Sequence, residues 1–167
     1  AAGANLADAA VTIANTAGVL NVDAGTLGTA SFAVGNAATL TGTAAQLTGL
    51  TATGTGTVAV TVLENTLAAN LSNINATTTL TAAISTGTGT VTLAAGANLA
   101  DAAVTIANTA GTLNIDAGTL GTASFAVGAS ATLTGTAARL DGLTATGTGT
   151  VAVTALESTL AADLSNI

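Results

Sequence analysis

Short runs of alternating apolar and polar residues recur along the chain. "TVAV" at Thr57–Val60 and "TLNI" at Thr112–Ile115 read as strands with one face buried. Most runs open on Thr. Cutting before each Thr that precedes an aliphatic gives pieces of about 18–22 residues, opened by Thr57, Thr90, Thr112 and Thr132, and one of about 11 opened by Thr79. In the four longer pieces a Leu follows eight to ten residues after the opening Thr: Leu67, Leu99, Leu120 and Leu140. Each piece reads as one coil: a strand, a corner and a Gly-rich return such as "TATGTG".

Helical periodicity enters at the corners. Thr61 with Glu64, and Thr154 with Glu157, have the T-x-x-E spacing of a capping box, with the Thr as cap and the Glu as reciprocal acceptor. Beyond the first box, Leu63, Leu67, Leu71 and Ile74 fall on one helical face and predict a helix over Val62–Ser72. Thr43 and Gln46 form a weaker box before Leu47 and Leu50. Its counterpart sets Thr136 against Arg139 and lacks the reciprocal acceptor.

A longer period contains the short one. Shifted by 93 positions, residues 1–74 fall on residues 94–167, and nine of the 74 pairs differ. The units are therefore 1–93 and 94–167, the second truncated. The chain begins and ends inside a repeat, which predicts a piece of something longer. Gln46/Arg139, Thr48/Asp141 and Asn70/Asp163 exchange neutral groups for charges, so these positions should be solvated. Val22/Ile115 exchanges one aliphatic for another, as a packed site tolerates. Phe32 and Phe125 occupy equivalent places in "TASFAVG" and read as core.

A coil of this size cannot bury its Leu and Val alone, but coils stacked on both sides of it can. The expected fold is mainly β: a repetitive β-solenoid resembling a parallel β-helix, with short helical corners, continuous through the unit boundary. Tandem β-sandwich domains are the alternative, since 93 residues is near the size of about 100 typical of immunoglobulin-like domains. The absent Trp, Tyr and Pro count against them.

Composition narrows the chemistry. Hydrophobic residues make up 49% and charged residues 5%, with one base, Arg139, and a net charge of -7. Such a chain has no cationic face for nucleic acid. Thr, Asn, Gly or Asp interrupts every apolar run before a membrane-spanning length, so no membrane insertion is expected. Without His or Cys, typical zinc and copper sites and Ser–His schemes are excluded. No cofactor is expected. Calcium stays open as a ligand, although the eight carboxylates are dispersed and match no calcium-loop motif. Asp23 and Asp116, in "LNVDAG" and "LNIDAG", read as turn aspartates capping backbone N–H groups. No carboxylates pair in sequence for acid–base catalysis, and no enzyme is expected. "NLS" at Asn70 and "NAT" at Asn75 match the glycosylation acceptor pattern, and Asp163 removes the first in the second copy.

The remaining candidates for surface contact are threonines. "TGTGT" occurs as Thr53, Thr55 and Thr57, as Thr86, Thr88 and Thr90, and as Thr146, Thr148 and Thr150. On a flat solenoid face, hydroxyls and methyls at strand spacing could bind ice, glycan or mineral. The runs stand 33 and then 60 residues apart, so they do not recur in every coil.

"LTGTAAQLTGLTATGTGTVAVT" and its surroundings resemble the Thr/Ala/Gly-rich tandem repeats of giant cell-surface and secreted proteins of cyanobacteria and other aquatic bacteria, including repetitive adhesins. The resemblance covers essentially the whole chain. It implies an extracellular or cell-surface, non-enzymatic fibre, sheath, surface layer or adhesin stalk whose partner is itself, as neighbouring repeats or subunits. No ligand-binding residue is carried over.

Overall fold

The computed structural model describes residues 4–75, 79–84, 89–107, 110–158 and 161–167. Its strands are β1 Ala10–Ile13, β2 Val19–Asn21, β3 Ser31–Val34, β4 Thr39–Gly42, β5 Thr51–Gly54, β6 Thr57–Val60, β7 Thr79–Ile84, β8 Thr90–Thr92, β9 Ala103–Ile106, β10 Thr112–Asn114, β11 Ser124–Val127, β12 Thr132–Gly135, β13 Thr144–Gly147 and β14 Thr150–Val153. Two single-turn helices, α1 Ala44–Leu47 and α2 Ala137–Leu140, follow β4 and β12. Every strand pairing is parallel and joins strands of successive coils, so the fold is a β-solenoid.

One corner marks every coil. A turn bond from residue i+3 back to residue i closes over Leu6–Ala9, Leu27–Ala30, Leu47–Leu50, Leu71–Ile74, Leu99–Ala102, Leu120–Ala123, Leu140–Leu143 and Leu164–Ile167. At the fourth of these corners the leucine is Leu71, which is fully buried; the expected Leu67 is only half-buried.

The inward rows are stacks of complementary size. Phe32 lies between Val11 and Ala52, and Val34 lies between Ile13 and Gly54. Phe125 repeats this between Val104 and Ala145. Both Phe side chains are 1% exposed, so a large ring in one coil fits because the next coil presents Ala. Val22 and Ile115 are buried, in keeping with their aliphatic exchange.

The strands form three sheets: β1-β3-β5, β2-β4-β6-β7-β9-β11-β13 and β8-β10-β12-β14. The long sheet crosses the unit boundary. β7 pairs with β6 through Thr57↔Thr79 and with β9 through Ile84↔Ile106, so no linker separates the units. The 93-residue shift makes β9 the counterpart of β1, yet β9 continues the sheet of β2, β4 and β6. Equivalent strands have moved round the solenoid by one sheet. The 11-residue piece from Thr79 causes this. Rather than forming a small coil, it adds a strand to the coil that runs from Leu71 to Leu99.

Two sequence expectations are corrected. "TATG" is a strand in both copies, β5 and β13, not a Gly-rich return. The stretch 62–72 is not helical. Its backbone bonds to neighbouring coils instead: Ala44 N donates to Val62 O at 2.9 Å, Thr66 N to Thr92 O at 3.0 Å and Leu71 N to Asn98 O at 2.9 Å. Inter-coil bonding and burial of Leu63, Ala69 and Leu71 outweigh local helical periodicity there.

Candidate functional site

Of the two predicted capping pairs only the glutamates act as caps, and they do so between coils. Glu64 Oε2 accepts from Ala45 N at 3.2 Å, so it caps α1 of the preceding coil. Glu157 Oε2 accepts from Ala138 N at 3.3 Å and does the same for α2. Thr61 and Thr154 start no helix. Thr61 N donates to Gly42 O and Thr154 N to Gly135 O, as rungs of the stack. The caps of the two helices themselves are Thr43, whose Oγ1 accepts from Gln46 N at 3.4 Å, and Thr136, which makes no side-chain cap bond. α2 forms nonetheless, because Glu157 supplies an acceptor from the next coil.

Two of the three neutral-for-charged exchanges keep their hydrogen bonds. Thr48 Oγ1 accepts from Asn70 N at 2.9 Å, and Asp141 Oδ1 accepts from Asp163 N at 2.7 Å. Asn70 Oδ1 accepts from Ser72 N, and Asp163 Oδ1 accepts from Ser165 N, both at 3.0 Å. Hydrogen bonding from the Ser165 side chain and backbone holds the Asp163 carboxyl below its ordinary value of 3.8. Arg139 is half-buried rather than freely solvated. Its Nε donates to Ile115 O at 2.9 Å and its terminal nitrogen to Ala117 O at 2.7 Å and to Gly118 O, tying its coil to the turn before it.

Of the two turn aspartates, Asp116 caps a backbone N–H as expected, whereas the Asp23 carboxylate accepts from the Asn21 side-chain amide, Nδ2 to Oδ2 at 3.0 Å. Asp116 Oδ1 accepts from Thr136 N at 2.8 Å, and its own N–H donates to Asn114 Oδ1. Asp23 N likewise donates to Asn21 Oδ1 at 2.9 Å. Among the described residues, no three His, Cys, Asp or Glu side chains converge as a metal site would need. Among the described residues no helix is long and apolar enough to cross a membrane.

The "TGTGT" threonines do not share one face. Thr53 lies on β5 in the three-stranded sheet, Thr55 at the bend and Thr57 on β6 in the long sheet. Thr146, Thr148 and Thr150 divide in the same way between β13, the bend and β14. Thr86 and Thr88 lie outside the described residues. Thr53 and Thr146 hydroxyls donate at 3.5 Å to the Phe32 and Phe125 carbonyls of the preceding coil.

The fold assembles a different array. The Thr that opens each strand stacks in register: Thr90↔Thr112↔Thr132↔Thr150 on the four-stranded sheet. Beside it runs Thr92↔Asn114↔Thr134↔Ala152. A matching row, Thr39↔Thr57↔Thr79, lies on the long sheet, with Val19 at its end. Rungs follow at about 4.8 Å, and the two rows of one face stand about 6.6 Å apart along the strand. Of the predicted contact residues, Thr57, Thr90 and Thr150 belong to these rows. Thr39, Thr79, Thr112 and Thr132 complete the rows, and each is marked in the sequence as a Thr that precedes an aliphatic.

A second feature lies where the three-stranded sheet ends. Its last pairing is the bridge Ala52↔Ile74, and the Leu99 and Leu120 turns come against it. A groove of about 660 Å³ opens there, lined by Thr51, Thr53, Ser72, Asn73, Asp101 and Thr122 among others. No family model matches the chain, and searches of curated proteins and of solved structures returned no match.

Proposed function

We propose that this chain is a non-enzymatic structural segment of an extracellular or cell-surface fibre, sheath, surface layer or adhesin stalk. The observation that carries the reading is the long sheet, in which β7 joins β6 of one unit to β9 of the next. An unlinked stack transmits load along its axis as a ladder of backbone hydrogen bonds. The resemblance to giant bacterial surface repeats points the same way.

The end coils also fit an extended array. Val104 and Ile106 are each 1% exposed, whereas their first-unit counterparts Val11 and Ile13 are only half-buried. Val60 is 1% exposed and its counterpart Val153 40%; Ile74 is 4% exposed and Ile167 42%. A further coil on either end, from the same chain or another copy, would cover these side chains and pair the open strand edges. Electron microscopy of a chain of several consecutive units is the test. Unbranched rods lengthening in proportion to unit number support the proposal, and compact particles joined by flexible necks refute it.

The in-register threonine rows favour one second reading, a face that binds an ordered neutral surface such as ice. The described part of the Thr90 row is four rungs long and carries no charge. Thermal hysteresis of the multi-unit chain tests it. Activity abolished by Thr112→Leu and Thr132→Leu would support the face, and no hysteresis at about millimolar protein would end it.

A further inference from the structure

We infer that consecutive units are related by one third of a turn, so that an array of them is a three-sided rod with a three-fold screw axis whose surface features face three directions in turn. The inference rests on the reading of consecutive units as one continuous rod, and it assigns that rod its symmetry.

Each coil crosses three sides. In the first unit β1, β3 and β5 stack on one side, and β2, β4 and β6 stack on the next. The corner stretches take the third side. There Ala44 N donates to Val62 O at 2.9 Å and Thr66 N to Thr92 O at 3.0 Å, so the corners lead straight into β8. In the second unit every role has moved on by one side. β9, β11 and β13 continue the column of β2, β4 and β6, and β10, β12 and β14 continue the corner column through β8. The second unit's corners fall to the column of β1, β3 and β5. Ile74 bridges Ala52 in that column, and the groove beyond sets Thr51 and Thr53 beside Ala100 and Thr122 of the Leu99 and Leu120 turns. With three roles and three sides, each role visits every side once and returns at the fourth unit.

The step can be counted on the long sheet. β9 lies four rungs above β2, by way of β4, β6 and β7. β10, the equivalent of β2, follows β9 one side further on. One unit of 93 residues therefore makes four and one third coils. At about 4.8 Å per coil, each unit rises about 21 Å and turns about 120°. Three units make thirteen coils and regain the starting side after about 62 Å. The Thr90–Thr112–Thr132–Thr150 row is four rungs long. In the array such a row recurs with every unit, each time on the next side, and regains its own side only at every thirteenth coil.

The test is cryo-electron microscopy with helical reconstruction of a chain of about nine consecutive units. The expected result is a rise of about 21 Å and a rotation of about 120° per unit, shifted only by the small coil-to-coil rotation of solenoids. A rod whose units are rotated by about 0° overturns the screw and leaves the rod reading standing; compact particles joined by flexible necks overturn both. Deleting residues 79–89 from every unit removes β7, and with it one side, leaving four whole coils. The rotation should then fall to about 0° and the rise to about 19 Å. A folded deletion variant that still turns by about 120° per unit also overturns the inference, and if the variant does not fold the parent reconstruction decides.

Discussion

Replacing Gly54 with Ala should be among the most damaging single-methyl additions in the chain. Gly54 ends β5 with φ +114, a conformation that side-chain-bearing residues rarely adopt. Holding Ala there costs about 1–3 kcal/mol in backbone strain. The added Cβ would also lie 2.2 Å from the Val34 carbonyl oxygen of the preceding coil. That oxygen accepts from Gly56 N at 3.1 Å, so the coils cannot part without loosening the rung. Losing one or two such bonds adds about 0.5–1.5 kcal/mol each, and the total comes to about 1.5–6 kcal/mol. Gly49 separates the two contributions. Its φ is +72, but a Cβ there would meet nothing within 4 Å. Gly49→Ala should therefore cost only its conformational share, about 1–2 kcal/mol. Urea unfolding followed by circular dichroism measures both variants against the parent. Equal losses would show that coil-to-coil approach is not what requires glycine in "TATGTGTVAV", and the stacking argument at that motif would fall.

Glu64→Ala should cost about 1 kcal/mol by uncapping α1 from the next coil, whereas Thr61→Ala should stay within about 0.5 kcal/mol; chemical denaturation of both distinguishes inter-coil from local capping. Arg139→Gln, the first-unit residue at that position, should lose about 1–2 kcal/mol through its carbonyl contacts at Ile115, Ala117 and Gly118, read from the same unfolding curves. Asp163 has its folded-state pKa depressed, so its contribution is present above the ordinary value of 3.8 and is lost as pH falls through the folded value. Carboxyl-detected NMR titration should place Asp163 below 3.8, and Asp163→Asn should flatten that part of the acid limb. Ala100→Gly should stabilise the chain by about 1 kcal/mol in thermal melts, since Ala100 sits at φ +54.

The solenoid was legible because its signals repeat. The "Thr-aliphatic" openings became strands, and the predicted core residues Phe32, Phe125, Val22 and Ile115 are buried. Local rules misled where the partner lay one coil away. Glu64 stands three residues after Thr61, which fits a box, but its acceptor serves Ala45, 19 residues earlier. Arg139 read as a solvated exchange, yet three carbonyls of the preceding coil hold it. Leu67 matched the local spacing, but Leu71 has the turn bond that all eight corners share. A linear reading ranks partners by sequence distance, whereas a coil places residues about 20 apart in direct contact.

The step at β7 bears on the choice between scaffold and binding face. Each strand of the second unit sits one sheet further round than its counterpart, because the piece from Thr79 adds a side to one coil. In an array of such units the opening-Thr row would run for a few coils on one side and then pass to the next. On the long sheet this is already visible. The row Thr39–Thr57–Thr79 stops at β7, since β9 begins opposite Thr81, and the row continuing through β9 reads Ala59–Thr81–Ala103–Ser124–Thr144. An ice-binding surface gains from one uninterrupted plane. A fibre that must meet neighbours in several directions gains from short patches that turn about its axis. The same step opens the groove at the end of the three-stranded sheet, so a longer array would carry its grooves once per unit and on successive sides. A geometry that limits a continuous threonine plane and distributes its contacts round the axis favours a structural filament.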